Sequence, residues 1–160
     1  MPILKLAIEI KADIEICFDL SRSIDLHKIS TAKTNEKAVA GVTTGLIGLQ
    51  DFVTWQATHF GIRQKLTSKI TQFIRPEHFR DEQVNGAFQF FIHDHYFEKQ
   101  GDTVIMKDVF NYKSPFGLIG KLVDRLVLEN YMKKLLIERN AVIKEFAESG
   151  KWKEVLGDRK

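Results

Sequence analysis

Residues 114–150 read SPFGLIGKLVDRLVLENYMKKLLIERNAVIKEFAESG, and the rest of the chain is organised around them. Ser114 suits a helix cap, and Pro115 suits the first helical position, where no backbone N–H is needed. Beyond Pro115 no proline interrupts the stretch, and Gly117 and Gly120 fall early in it. Gly150 supplies a stop signal. A helix over Pro115 to Glu148 spans roughly 45–50 Å at about 1.5 Å per residue. It must lie across something broad, and the preceding strands are read as that surface.

The apolar residues of this stretch form two stripes. Leu118, Ile119, Leu122, Val123, Leu126 and Val127 share one face at helical spacing. Tyr131, Met132, Leu135, Val142, Ile143 and Phe146, with Leu128 and Arg139, share another that is far out of phase with the first. Either the helix bends between Leu126 and Tyr131, or its first half packs on two sides. A bent first half would border a cavity mouth and gate it.

Composition bounds the rest. The chain of 160 residues is long enough for one domain with a substantial core. Residues 1–150 are read as that domain and 151–160 as a short tail that Trp152 could pin. A net charge of +3, from 24 basic and 21 acidic residues, comes without a basic run interleaved with aromatics. No nucleic-acid partner is therefore expected. Cys17 is the single cysteine and reads as a buried core residue. Met1-Pro2-Ile3 opens neither a signal peptide nor a membrane span, so a cytoplasmic location is the default expectation. Phenylalanine, at 12 residues, suits a large apolar interior or a ring-lined pocket.

Ahead of the long helix the chain reads as strand, two short helices and a run of strands. Leu4, Leu6, Ile8 and Ile10 alternate with polar residues as in a half-buried strand. Asp13 and Ser23 each offer a cap to a short amphipathic helix. A strand over Glu36 to Ala40 leads into Gly41, Gly45 and Gly48, taken as turns, bulges or a flexible lip. No lysine or following helix makes this a phosphate loop. From Val53 to Tyr112 strands follow one another through short turns, which means an antiparallel meander. The expected class is α+β, with a curved antiparallel sheet wrapped around the long helix and a cavity between them.

Strand phase then selects the interior. Trp55 and His59 point one way, as do Phe79, Asp81 and Gln83. Phe91, His93 and His95 share a face, and so do Asp108, Phe110 and Tyr112. If these faces point inward, His59, Asp81, Gln83, His93, His95 and Asp108 converge. Buried ionisable groups must be hydrogen-bonded or paired, and three readings compete. One is a satisfied structural network between His and Asp on neighbouring strands. Another is a polar cluster that orients a ligand in an apolar pocket. The third is a metal or acid–base site in which His93-x-His95 supplies two imidazoles and Asp81 or Asp108 a carboxylate. No further ligand is spaced for that third reading, so no metal and no cofactor are assigned.

Several motifs resemble a known family. They are Gly48-Leu49-Gln50-Asp51-Phe52-Val53-Thr54-Trp55 with His59-Phe60-Gly61, then Phe79-x-Asp81-Glu82-Gln83-x-x-Gly86-x-Phe88 and His93-x-His95-x-Phe97. Asp108-x-x-x-Tyr112-x-Ser114-Pro115-x-Gly117 and Leu135-Leu136-x-x-Arg139-Asn140 complete the set. The chain resembles, from about Leu4 to Phe146, a bacterial group of the START-like (SRPBCC) superfamily, the helix-grip proteins. It departs at Gln50, where that group often has glycine. The resemblance implies a deep apolar cavity between sheet and helix. The group is described as ligand-binding or cyclase/dehydrase-like, with no established activity.

The resulting expectation is a binder of a small hydrophobic molecule such as a lipid, isoprenoid or polyketide. Trp55, Phe79, Phe91, Phe110 and Tyr112 would form walls, and His59, Asp81, Gln83, His93, His95 and Asp108 the polar end. An alternative is a cyclase or dehydratase with His93, His95 and Asp108 as catalytic candidates, so enzymatic status is left open. A further alternative is a protein-interaction module using the C-terminal tail. Ligand identity and oligomeric state are not legible.

Overall fold

The computed structural model describes residues 2–114, 122 and 127–158. In chain order its elements are β1 (Ile3–Ile10), α1 (Ile14–Ser21), α2 (Ile24–Ser30), a 3-10 turn (Ala32–Thr34), β2 (Lys37–Gly41) and β3 (Phe52–His59). Then come β4 (Ile62–Ile74), β5 (His78–Asn85), β6 (Phe90–Gln100), β7 (Thr103–Lys113), α3 (Glu129–Ser149) and α4 (Trp152–Leu156). The strands form one seven-stranded antiparallel sheet in the order β1-β7-β6-β5-β4-β3-β2. Strands β1 and β2 are thus its two edges, and α1 and α2 carry the chain from one to the other.

The expected caps close these helices. The Asp13 carboxylate accepts from the N–H groups of Glu15 and Ile16, and Ser23 Oγ from that of Leu26. Gly150 ends α3 in the left-handed region at φ +79°. Register shifts at Ala38/Ala40, Thr67/Ser68 and Ile70/Gln72 bend the sheet, as β-bulges do. Strand β4 continues past the last of these to Ile74.

Helix α3 packs on α1, α2 and β1. It buries Leu136, Arg139, Asn140, Ile143, Phe146 and Ala147. Val127 and Leu128 form a π-helical turn just ahead of it, where the apolar stripe changes phase. The upstream side of the expected bend, Pro115 at the expected helix start and the proposed gate fall on 115–126, outside the described residues apart from residue 122. Among the described residues no helix is long and apolar enough to cross a membrane.

The core has two apolar clusters. One gathers Phe18, Phe79, Phe97, Met106 and Ile143 with their neighbours. Phe18 stands at its centre, edge-on to Phe73, Phe79 and Phe97 at 5.3–5.4 Å. Cys17 is fully buried here, and burial pushes its thiol up to about 12, so it is a core residue and no nucleophile. Trp152, Val155 and Leu156 pack against the same cluster. The other cluster holds Leu4, Phe91, Phe110, Tyr112 and Leu136.

The glycine loop after β2 is tied down. The Asp25 carboxylate accepts from Thr44 Oγ1 at 3.0 Å and the Gly45 N–H at 2.8 Å, and Ile24 N–H donates to the Gly45 carbonyl. It is therefore an anchored wall in which Ile47 is buried, in place of the flexible lip suggested by its glycines. A Cβ on Gly41 would collide with the Phe52 carbonyl, and its φ of +73° also requires glycine.

Candidate functional site

Reading along the elements shows how the site is made. On β6, Phe91 belongs to one apolar cluster and Phe97 to the other, with His93 and His95 between them. On β7, Phe110 and Met106 bracket Asp108 in the same way, and on α3 Leu136 and Ile143 bracket Arg139 and Asn140. Period-two alternation on strands and near-four-residue spacing on the helix bring these polar side chains into one belt. The belt crosses the interior between the clusters.

Its bonds are dense. His93 Nε2 lies 2.9 Å from Asp108 Oδ1, and His95 Nε2 lies 3.0 Å from Asp81 Oδ1. His95 Nδ1 is also 3.0 Å from Asp108 Oδ1, close but poorly aligned for a hydrogen bond. Asn140 Nδ2 donates to Asp108 Oδ2 at 2.6 Å. Arg139 donates to Asn140 Oδ1 and to the Ser21 carbonyl, both at 3.0 Å, and lies 3.6 Å from Asp108. The two imidazoles lie 3.8 Å apart between centroids, tilted by 40° to each other, and Phe79 stacks on His95 at 4.2 Å.

The charges follow from these contacts. Burial opposes charge on His95, but Asp108 and Asp81 outweigh it and raise its pKa. Burial and the neighbouring His95 hold His93 below its ordinary value. Burial would raise Asp108, yet the two histidines and Arg139 keep it well below the usual carboxylate range. Asp81 is lowered in the same way, chiefly through His95 against the cost of burial. Two carboxylates lie against the Arg139 guanidinium and two imidazoles, so negative charge is met by positive charge and hydrogen bonds, which is how a buried cluster of this size is tolerated.

Between the concave sheet face and helices α2 and α3 lies a cavity of about 550 Å³. Strand β3 brings Trp55 and His59 to its wall, β5 brings Phe79 and Asp81, β6 brings Phe91, His93 and His95, and β7 brings Phe110. Three residues expected to line it, Tyr112 as wall and Asp108 and Gln83 at the polar end, are not among its lining residues. Asp108 stands behind the histidines, Tyr112 is fully buried in an apolar cluster, and Gln83 Nε2 donates to the Phe88 carbonyl at 2.7 Å.

A second polar group on the wall was legible in the sequence only at His59. His27 lies over Trp55 at 4.2 Å, and its Nε2 is 3.4 Å from Glu36 Oε2. His59 Nδ1 pairs with the Tyr131 hydroxyl at 2.8 Å. His27 and Tyr131 sit on stripes that read as helix packing, and Glu36 on the approach to an edge strand. Arg139 and Asn140 escaped for the same reason: only a contact across 32 residues gives Asn140 its role against Asp108.

No protein-family model matches the chain, and no curated protein matches it. Solved structures do. The protein TTHA0849 from Thermus thermophilus superposes with a TM-score of 0.72 at 16% identity, over 90% of this chain and 95% of that one. Ginseng major latex-like protein 151 from Panax ginseng gives 0.67 at 12% identity, over 91% and 97%. The protein Ara h 8.0201 gives 0.60 at 10% identity, over 89% and 99%. With its seven-stranded curved sheet and long C-terminal helix, the chain has the helix-grip fold of the START-like proteins.

Proposed function

We propose that this protein binds one small hydrophobic molecule, such as a lipid, isoprenoid or polyketide, in the cavity between sheet and helix, without transforming it. The observation that carries this is the cavity itself: about 550 Å³, walled by Trp55, Phe91, Phe110, Leu135 and their apolar neighbours, with the polar belt on one side. That volume falls within the range of small-molecule sites, where a few polar groups fix the orientation of a largely apolar ligand. Asp81, His93 and His95 orient the ligand's polar end.

A cyclase or dehydratase needs a histidine nitrogen aimed into open space. Nε2 of His93 and both nitrogens of His95 face carboxylates. This weighs for binding over acid–base chemistry by that pair.

Native mass spectrometry of freshly purified protein tests the reading, followed by titration of delipidated protein with an environment-sensitive apolar fluorophore. The expected result is one bound molecule per chain, displaceable by long-chain or polycyclic lipids. Absence of any bound mass together with absence of fluorophore uptake would overturn it.

A further inference from the structure

We infer that Asp81, His93 and His95 form a binding site for a divalent transition-metal ion, of the zinc type, on the cavity wall. The sequence alone offered two imidazoles on β6 with Asp81 or Asp108 as a carboxylate, and did not choose between the two. The fold supplies the partner from the neighbouring strand, where Asp81 pairs in register with His93. One donor atom from each of the three lies within 4.8 Å of the others. Asp81 Oδ1 is 3.0 Å from His95 Nε2 and 3.8 Å from His93 Nδ1. Ligand atoms around a tetrahedral ion with bonds of about 2.0–2.1 Å are about 3.3 Å apart. Small side-chain rotations bring this triad to that spacing.

The remaining nitrogens decide between a chance cluster and a built site. His93 uses Nδ1 toward Asp81, leaving Nε2 to Asp108 at 2.9 Å. His95 uses Nε2, leaving Nδ1 at 3.0 Å from the same Asp108 oxygen. One carboxylate therefore holds the far nitrogen of His93 and lies beside that of His95, and a carboxylate on the far nitrogen commonly fixes the orientation of a metal-binding histidine. Asp108 is itself clamped by Asn140 at 2.6 Å. An ion would take the place of the proton between His95 Nε2 and Asp81 Oδ1.

All three donors line the cavity. Three protein ligands leave a fourth position open to it, the arrangement of a site that takes an exogenous ligand. With the ion at +2, Asp81 and Asp108 at −1 each and Arg139 at +1, the group sums to +1. The fourth position is thus suited to an anion, whether hydroxide or the acidic end of a cavity molecule.

The test is titration of the chelator-stripped full-length protein with Co²⁺, followed by competition with Zn²⁺. The expected result is one ion per chain, the visible bands of four-coordinate Co²⁺, and their loss when Zn²⁺ is added. Asp81→Asn and His93→Gln, checked for folding by circular dichroism, should each weaken Co²⁺ binding at least tenfold. Asp108→Asn should weaken it by about 10–100-fold if it folds. His78→Gln, on the opposite sheet face beside Asp94, should leave affinity unchanged. Absence of four-coordinate bands in the wild type overturns the inference without recourse to any variant. So does binding that survives both Asp81→Asn and His93→Gln, or that is lost in His78→Gln. The ion is read with no organic molecule present, so failure here leaves the hydrophobic-binder reading standing, and an empty cavity leaves this one.

Discussion

Asp94 and Asp108 are one residue type placed on opposite faces of the same sheet, and their surroundings set different roles. Asp108 lies inside and organises two histidines. Asp94 faces the convex side, where it is only 7% exposed. It accepts from Arg80 Nε at 2.8 Å and Arg80 Nη2 at 3.0 Å and lies 2.8 Å from His78 Nε2. Burial would raise its carboxyl, but Arg80 and His78 outweigh it and hold it below the ordinary value. A folded-state pKa below the unfolded one contributes stability above the unfolded value, and that contribution is lost as pH falls through the folded value. Asp94→Asn should therefore cost about 1–2 kcal/mol at neutral pH, the scale of weakened hydrogen bonds to a charged group. The gap between variant and wild type should narrow as pH falls from the ordinary carboxylate range and close only below the lowered folded-state value, where both side chains are uncharged. Urea unfolding at neutral and acid pH measures both quantities. A gap that persists in acid would mean that packing, and not the charge, is what Asp94 contributes.

At the scale of elements, the turn into β3 carries a conformation its residue does not favour. Gln50 has φ +69°, in the left-handed region. Its N–H donates to the Ile70 carbonyl, and Ile70 N–H donates to the Asp51 carbonyl, both at 2.9 Å, so the turn is locked onto β4. A non-glycine residue there costs about 1–2 kcal/mol, against about 0.5–1 kcal/mol of extra unfolded-state entropy for glycine. Gln50→Gly should raise stability by about 0.5–1 kcal/mol in thermal unfolding, and a lower melting temperature would show that the Gln50 side chain contributes more than its backbone costs. The sequence signalled this position only through the resemblance, since a lone glutamine carries no mark of a positive φ. Other elements were legible because their signals are local. Asp13, Ser23 and Gly150 act within four residues of themselves, and the alternation on β6 and β7 is set by the pleat alone. What stayed hidden depends on partners far along the chain: Asn140 against Asp108 and Glu36 beside His27. Asp108, Gln83 and Tyr112 were assigned to the cavity because alternation fixes a face. How far along that face the open space extends depends on the helix lying over it.

At the scale of the whole molecule, two apolar clusters, a polar belt and a cavity must coexist in one layer between sheet and helix. A cavity of this size forgoes packing that a smaller core would have, so filling it should stabilise the fold. By mass action a ligand at one hundred times its dissociation constant adds about 2.7 kcal/mol. In a domain of this size that raises the melting temperature by roughly 5–10 °C. Stabilisation alone does not locate the ligand, because exposed Ile74 and Val84, outside the cavity lining, could hold an apolar molecule on the surface. The two tryptophans separate these cases. Trp55 forms part of the cavity wall and lies against His27 at 4.2 Å, whereas Trp152 sits on α4, away from the cavity. An apolar fluorophore in the cavity should take energy from Trp55 at contact distance and much less from Trp152. Trp55→Phe should therefore remove most of the transfer and Trp152→Phe little of it, with the thermal shift retained in both. Transfer that follows Trp152, or a thermal shift with no response from Trp55, would place the molecule outside the cavity and leave its volume without an occupant.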